Sequence, residues 1–116
     1  MAGEEQSAER EQEFVTVESV EGLIEMGLET GDDIELYGEQ HDSVMKLWSV
    51  ACRQTGEAQE LAIWGLGEIA RDQKNRGIGS LALDRLDRIS KEAPPGSEPQ
   101  QLARQAVRRV LKATQR

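Results

Sequence analysis

The chain has 116 residues, room for one domain of ordinary size. It holds no apolar run near the roughly 20 residues that cross a bilayer, no basic and apolar leader in MAGEEQSAEREQE, and one cysteine, Cys52, which excludes an internal disulfide. The net charge of −8 is split unevenly: residues 1–42 carry 14 acidic and 1 basic side chain, residues 43–116 carry 8 and 13.

A reducing, cytoplasmic address is the expectation that follows. Overall acidity argues against nucleic-acid binding by the whole chain and leaves a local basic face open. The aromatics are only Phe14, Tyr37, Trp48 and Trp64, strand patterns are scarce, and Glu, Gln, Arg, Leu and Ala abound. These features predict an all-α fold, a small helical bundle or short α-solenoid of about five to six helices. Residues 1–13, with five glutamates, read as a disordered acidic tail, and 14–116 as a single helical domain.

In chain order, Phe14-Val15-Thr16-Val17 reads as a short extended arm or the lead-in to a helix. Ser19 is the expected N-cap of a first helix carrying Val20, Leu23, Ile24 and Leu28, with Gly31 as its stop. From Asp32 the apolar spacing suits one long helix. Gly38 and the capping pair Asp42-Ser43 instead favour two, near 33–39 and 43–54. The second shows Val44, Leu47, Trp48, Ala51 and Cys52 on one face, so Cys52 reads as core.

The stretch Ala58 to Arg71 is apolar nearly all round, which predicts a central helix with neighbours on several sides and Trp64 at the middle of the core. Gly65 and Gly67 each cost about 1 kcal/mol of helix propensity, tolerable where a neighbouring backbone comes close. After the polar connection 73–77, a helix from about Ile78 to Lys91 should bury Ile78, Ala82, Leu86 and Ile89. Asp84–Arg88 and Asp87–Lys91 are its expected i, i+4 pairs. Ala93-Pro94-Pro95-Gly96-Ser97 breaks it. A last helix, capped by Ser97 or Glu98 and running to about Ala113, should bury Leu102, Ala106, Val107, Val110 and Leu111.

Glu60-Leu61-Ala62-Ile63-Trp64 and the residues after it align with Gln101-Leu102-Ala103-Arg104-Gln105 at an offset of 41, with one helix between. A period of roughly 40–47 is that of HEAT and armadillo repeats. Residues 43–113 resemble two such helical hairpins. The resemblance implies a scaffold that binds other proteins or extended ligands rather than a catalyst.

Arg104, Arg108, Lys112 and Arg116 repeat every four residues, with Arg109 beside them, and form one basic stripe suited to phosphates or to the carboxylates of an acidic partner. A solvated face favoured at a helix C-terminus is the plainer reading of each residue alone. Asp32, Asp33, Glu35, Glu39, His41 and Asp42 have metal-ligand chemistry without calcium-loop or zinc spacing and read as a solvated acidic face. His41 reads as a satisfied boundary residue, and Gly77-Ile78-Gly79-Ser80 as a simple turn that opens a helix. No nucleophile–base signature, cofactor motif or metal site is found. The expected function is non-catalytic protein–protein interaction through Arg104, Arg108, Arg109 and Lys112. The alternative is an acidic regulator of nucleic-acid machinery, acting by mimicry or through phosphate binding by the same stripe.

Overall fold

The computed structural model describes residues 15–72 and 76–114. Among them are five α-helices and no strand: α1 (Val17–Leu28), α2 (Ile34–Arg53), α3 (Glu57–Asp72), α4 (Arg76–Glu92) and α5 (Glu98–Thr114). The acidic segment 1–13, Phe14 and Arg116 lie outside the described residues.

Capping decides where α1 and α2 begin. Thr16 caps α1, its Oγ1 accepting from the Ser19 N–H at 3.1 Å, so Ser19 lies within the first turn instead of capping it. The helix ends at Leu28 with Glu29 as C-cap, ahead of the expected stop at Gly31. Asp33 caps α2 by accepting from the Glu35 N–H at 3.0 Å. From there α2 runs unbroken for 20 residues where two helices were expected. Gly38 faces open space and costs only its propensity, and Ser43 is buried in mid-helix instead of opening a new one.

Three glutamines pin the chain where helices end. Gln40 is buried on α2 and donates through Nε2 to the carbonyls of Met26 (3.1 Å) and Glu29 (2.6 Å), adding to the Glu29 N–H that already caps Met26 O at 3.2 Å. Gln54 holds Val15 by both backbone groups, at 2.7 and 2.9 Å. Gln100 donates to Ser90 O at 3.1 Å and accepts from Gly96 N–H at 2.7 Å, closing the α4–α5 turn. Gly96 (φ +79°) there and Gly56 (φ +80°) before α3 adopt the left-handed conformation that glycine tolerates.

Each helix packs on the next and on the next but one: α1 on α2 and α3, α2 on α3 and α4, α3 on α4 and α5. Helix α3 therefore touches all four others, as its apolar sequence predicts. Its core residues are Ala62, Ile63, Leu66 and Ile69, at most 1% exposed. Full burial of such side chains stabilises by about 1.5–3 kcal/mol each.

Trp64 is not among them. It is 45% exposed, contrary to the expectation from its apolar neighbours. The physical reason lies in Gly65 and Gly67. A Cβ at Gly65 would collide with Ile24 of α1, and one at Gly67 would touch Ala106 of α5 at 3.4 Å. Flanking helices that close leave no space between them for an indole.

Helix α4 buries Ile78, Ala82, Leu86 and Ile89 as its spacing predicts. Asp84–Arg88 (3.4 Å) and Asp87–Lys91 (2.8 Å) form on its wet side. Trp48 of α2 is half-buried beneath the Arg85 guanidinium, 4.8 Å from its ring centroid. Helix α5 buries Ala103, Ala106 and Val110, with Leu102 and Val107 half-covered. Leu111, expected in the core, is 43% exposed because no further helix follows on that side among the described residues.

Candidate interaction surface

The basic stripe arises because α5 commits one side to α3 and α4. Ala103, Ala106 and Val110 are spaced three and four apart, which leaves Arg104, Arg108, Arg109 and Lys112 exposed to solvent. All four predicted site residues thus share one helix and one exposed arc. Arg109 turns toward α3 and lines a narrow crevice with Gly67, Glu68 and Arg71.

Their electrostatic state differs from that of the cations on neighbouring helices. Arg71 pairs with Asp72 (3.2 Å) and Glu68 (2.8 Å), and these bonds, that to Asp72 first, raise its pKa further. Arg85 and Arg88 both reach Asp84, and Lys91 reaches Asp87. Arg104, Arg108, Arg109 and Lys112 form no ion pair with a described residue. Nor do they pair with the described acidic residues of α1. Glu18, Glu21 and Glu25 are exposed on α1, which packs on α2 and α3, whereas α5 packs on α3 and α4.

Asp32, Asp33, Glu35, Glu39 and Asp42, with His41 among them, are all exposed around the start of α2. Among the described residues no group of three or more His, Cys, Asp or Glu side chains is placed to hold a metal ion. His41 is exposed instead of sitting at a boundary. Gly77 to Ser80 belong to the first turns of α4 itself, not to a turn before it.

Cys52 corrects another expectation. It is exposed at the α2 C-terminus, because the apolar face ends at Ala51. It borders a cavity of about 190 Å³ lined also by Gln59, Ile89, Glu92 and Pro94. Partial burial, then the Glu92 charge, push its thiol pKa up against the opposing pull of Arg53. A thiol held protonated in this way is a poor nucleophile.

The residue that sequence reasoning missed is Trp64, the large aromatic at the surface of the central helix. A signal was present. Glu57, Glu60, Trp64, Glu68 and Arg71 fall on one stripe of α3, and only Trp64 in it is apolar.

Compared with known proteins, the chain matches no family model, no curated protein and no solved structure. Among the described residues no helix is long and apolar enough to cross a membrane.

Proposed function

We propose that the chain is a non-catalytic interaction domain that offers α5 to an acidic partner protein. The observation that carries this reading is the set of four exposed cations, Arg104, Arg108, Arg109 and Lys112, without a counter-charge among the described residues, on a helix whose other side is locked into the core. Charges left unpaired cost nothing at the surface. They become charge-assisted hydrogen bonds, with bidentate geometry available to the arginines, when carboxylates arrive.

A HEAT- or armadillo-like scaffold is the architecture we infer for it. Helices α3 and α5 begin 41 residues apart, at Glu57 and Glu98. Gln59 and Gln100, also 41 apart, each donate back to a carbonyl of the preceding helix segment, Ala51 O at 2.9 Å and Ser90 O at 3.1 Å. Ala62 and Ala103 are both fully buried. Packing mainly between helices adjacent or next but one in sequence suits a stacked repeat.

The test reverses Arg104, Arg108 and Lys112 to Glu together. Proteins captured by the wild-type chain are identified, and the affinity of each is then measured by titration. The variant keeps its helical signal and cooperative unfolding, and binding weakens tenfold or more, about 1.4 kcal/mol. Unchanged affinity in a folded variant refutes the reading. A second reading, regulation of nucleic-acid machinery by charge mimicry, draws on the exposed glutamates along α1 and on Glu35, Glu39 and Asp42 of α2. It requires partners that also bind nucleic acid and compete with it.

A further inference from the structure

The three odd-numbered helices form a layer with one open side. At about 100° per residue, Gly65 and Gly67 point about 200° apart around α3. One faces Ile24 of α1 and the other Ala106 of α5, so α3 lies between those helices. Leu66 points between the two glycines and is 0% exposed, with α2 and α4 packed on α3 behind it. Trp64 lies about 160° from Leu66, on the side that none of the described helices covers.

The open side is ordered by charge. Ile24–Gly65 and Gly27–Ile69 contacts advance together along both helices, so α1 runs parallel to α3. Glu21 and Glu25, about 60° and 100° round α1 from Ile24, then fall on the Trp64 side. On the far edge, Arg109 opens onto the α3 crevice beside Glu68 and Arg71, with Lys112 three residues on. From α1 to α5 the face runs acidic, aromatic, basic.

We propose that this face is the interface of a symmetric dimer, with Trp64 at its centre and a second copy of the chain as its occupant. A two-fold axis in the plane of the face and along the helices places acidic α1 of each copy over basic α5 of the other. It also sets Trp64 against its own counterpart. An axis across the helices would oppose α1 to α1 and bring like charges together. Both copies use the same patch, so the assembly closes at two. Glu57 and Glu60 would approach their counterparts in a strictly parallel pair; crossing α3 over α3 at Trp64 by about 50°, a common packing angle, carries them apart. Three helices spaced about 10 Å apart and about 24 Å long present on the order of 700 Å² per copy. That is close to the roughly 800 Å² per partner of a standard interface. A central tryptophan ringed by polar residues is the usual anatomy of a binding hot spot.

The proposal goes beyond the partner-binding role of α5, from which it is separable. Arg104 points away from the Trp64 face, about 140° round α5 from Arg109 and about 80° from Lys112. Sedimentation velocity on the full chain, from micromolar to millimolar at low and high salt, tests it. The wild type doubles its mass and no more, and salt weakens the dimer. Trp64→Glu is monomeric with an unchanged helical signal. Glu21→Arg with Glu25→Arg, and Arg109→Glu with Lys112→Glu, are each monomeric alone and dimerise when the two double variants are mixed. Arg104→Glu remains dimeric even if it weakens binding of the acidic partner. A wild type that stays monomeric overturns the proposal. So does a Trp64→Glu chain that still dimerises, a mixture that fails to associate, or mass growing beyond two copies.

Discussion

Ile24 occupies the space that a side chain at Gly65 would need, and Ile69 does the same opposite Gly27. Both isoleucines are buried, at 5% and 0% exposure, so neither swings into solvent to make room. The two helices interlock by reciprocal isoleucine-into-glycine contacts, one in each direction.

Alanine at either glycine gains about 1 kcal/mol of helix propensity. Against this stands an overpacking cost of about 1–3 kcal/mol with stiff, β-branched neighbours. Gly65→Ala and Gly27→Ala should therefore destabilise, by about 1 kcal/mol net. Gly22 and Gly38 have nothing within 4 Å of a new Cβ, so Gly22→Ala and Gly38→Ala should stabilise by about 0.5–1 kcal/mol. Urea unfolding of the four variants measures the contrast. Equal effects at all four sites would mean that α1 does not sit this closely on α3.

Gln40 donates to the carbonyls of Met26 and Glu29 at the end of α1, tying that end to α2. Gln40→Leu fills a similar volume and removes the donor, which should cost about 1–3 kcal/mol because the acceptors stay partly buried. Amide exchange should quicken first in the last turn of α1. Loss of protection spread evenly over all helices would contradict the local role.

Trp64 and Leu66 are two residues apart and should behave in opposite ways. Leu66→Ala should cost about 2–5 kcal/mol, the range of a buried leucine losing its contacts. Trp64→Ala, at a side chain 45% exposed, should cost roughly 1 kcal/mol or less. Denaturation below the concentration of any association gives both numbers. A loss at Trp64 matching that at Leu66 would place the indole in the core after all.

This pair also marks how far the sequence could be read. The buried line of α4 and the cations of α5 were visible because a period of 3.6 separates apolar from charged positions cleanly. In α3 nearly every position is apolar, so periodicity could not tell which side lacked a neighbour. The two glycines supplied that information only once Ile24 and Ala106 were seen against them. Continuity of α2 was hidden for a different reason: Asp42-Ser43 is a good cap locally, and tertiary burial of Gln40 and Ser43 overrides it. Leu111 has the right phase for the core and no helix beside it to complete one.

The final prediction concerns Glu60, where α3 and α5 meet at their first turns. Its carboxyl shares a hydrogen bond with Glu98, and that bond, then the Glu98 charge, a little desolvation and Glu57, raise its pKa above the ordinary carboxylate value. The sign follows from linkage. A carboxyl raised in the folded state binds its proton more tightly there than in the unfolded chain, so protonation favours folding. That contribution is present at acid pH and disappears as pH rises through the folded pKa, where two carboxylates face each other. Glu60→Gln keeps a donor for Glu98 and removes one charge. Glu60 lies in the first turn of α3, where a carboxylate gains from the helix dipole; the upward direction of its pKa shift sets the repulsion from Glu98 and Glu57 above that gain. The variant should melt above the wild type at neutral pH, and the gap should close as pH falls through the carboxylate range. Melting curves of both chains across that range decide it. A variant that melts below the wild type at neutral pH would mean that the Glu60 charge supports the fold instead of opposing it.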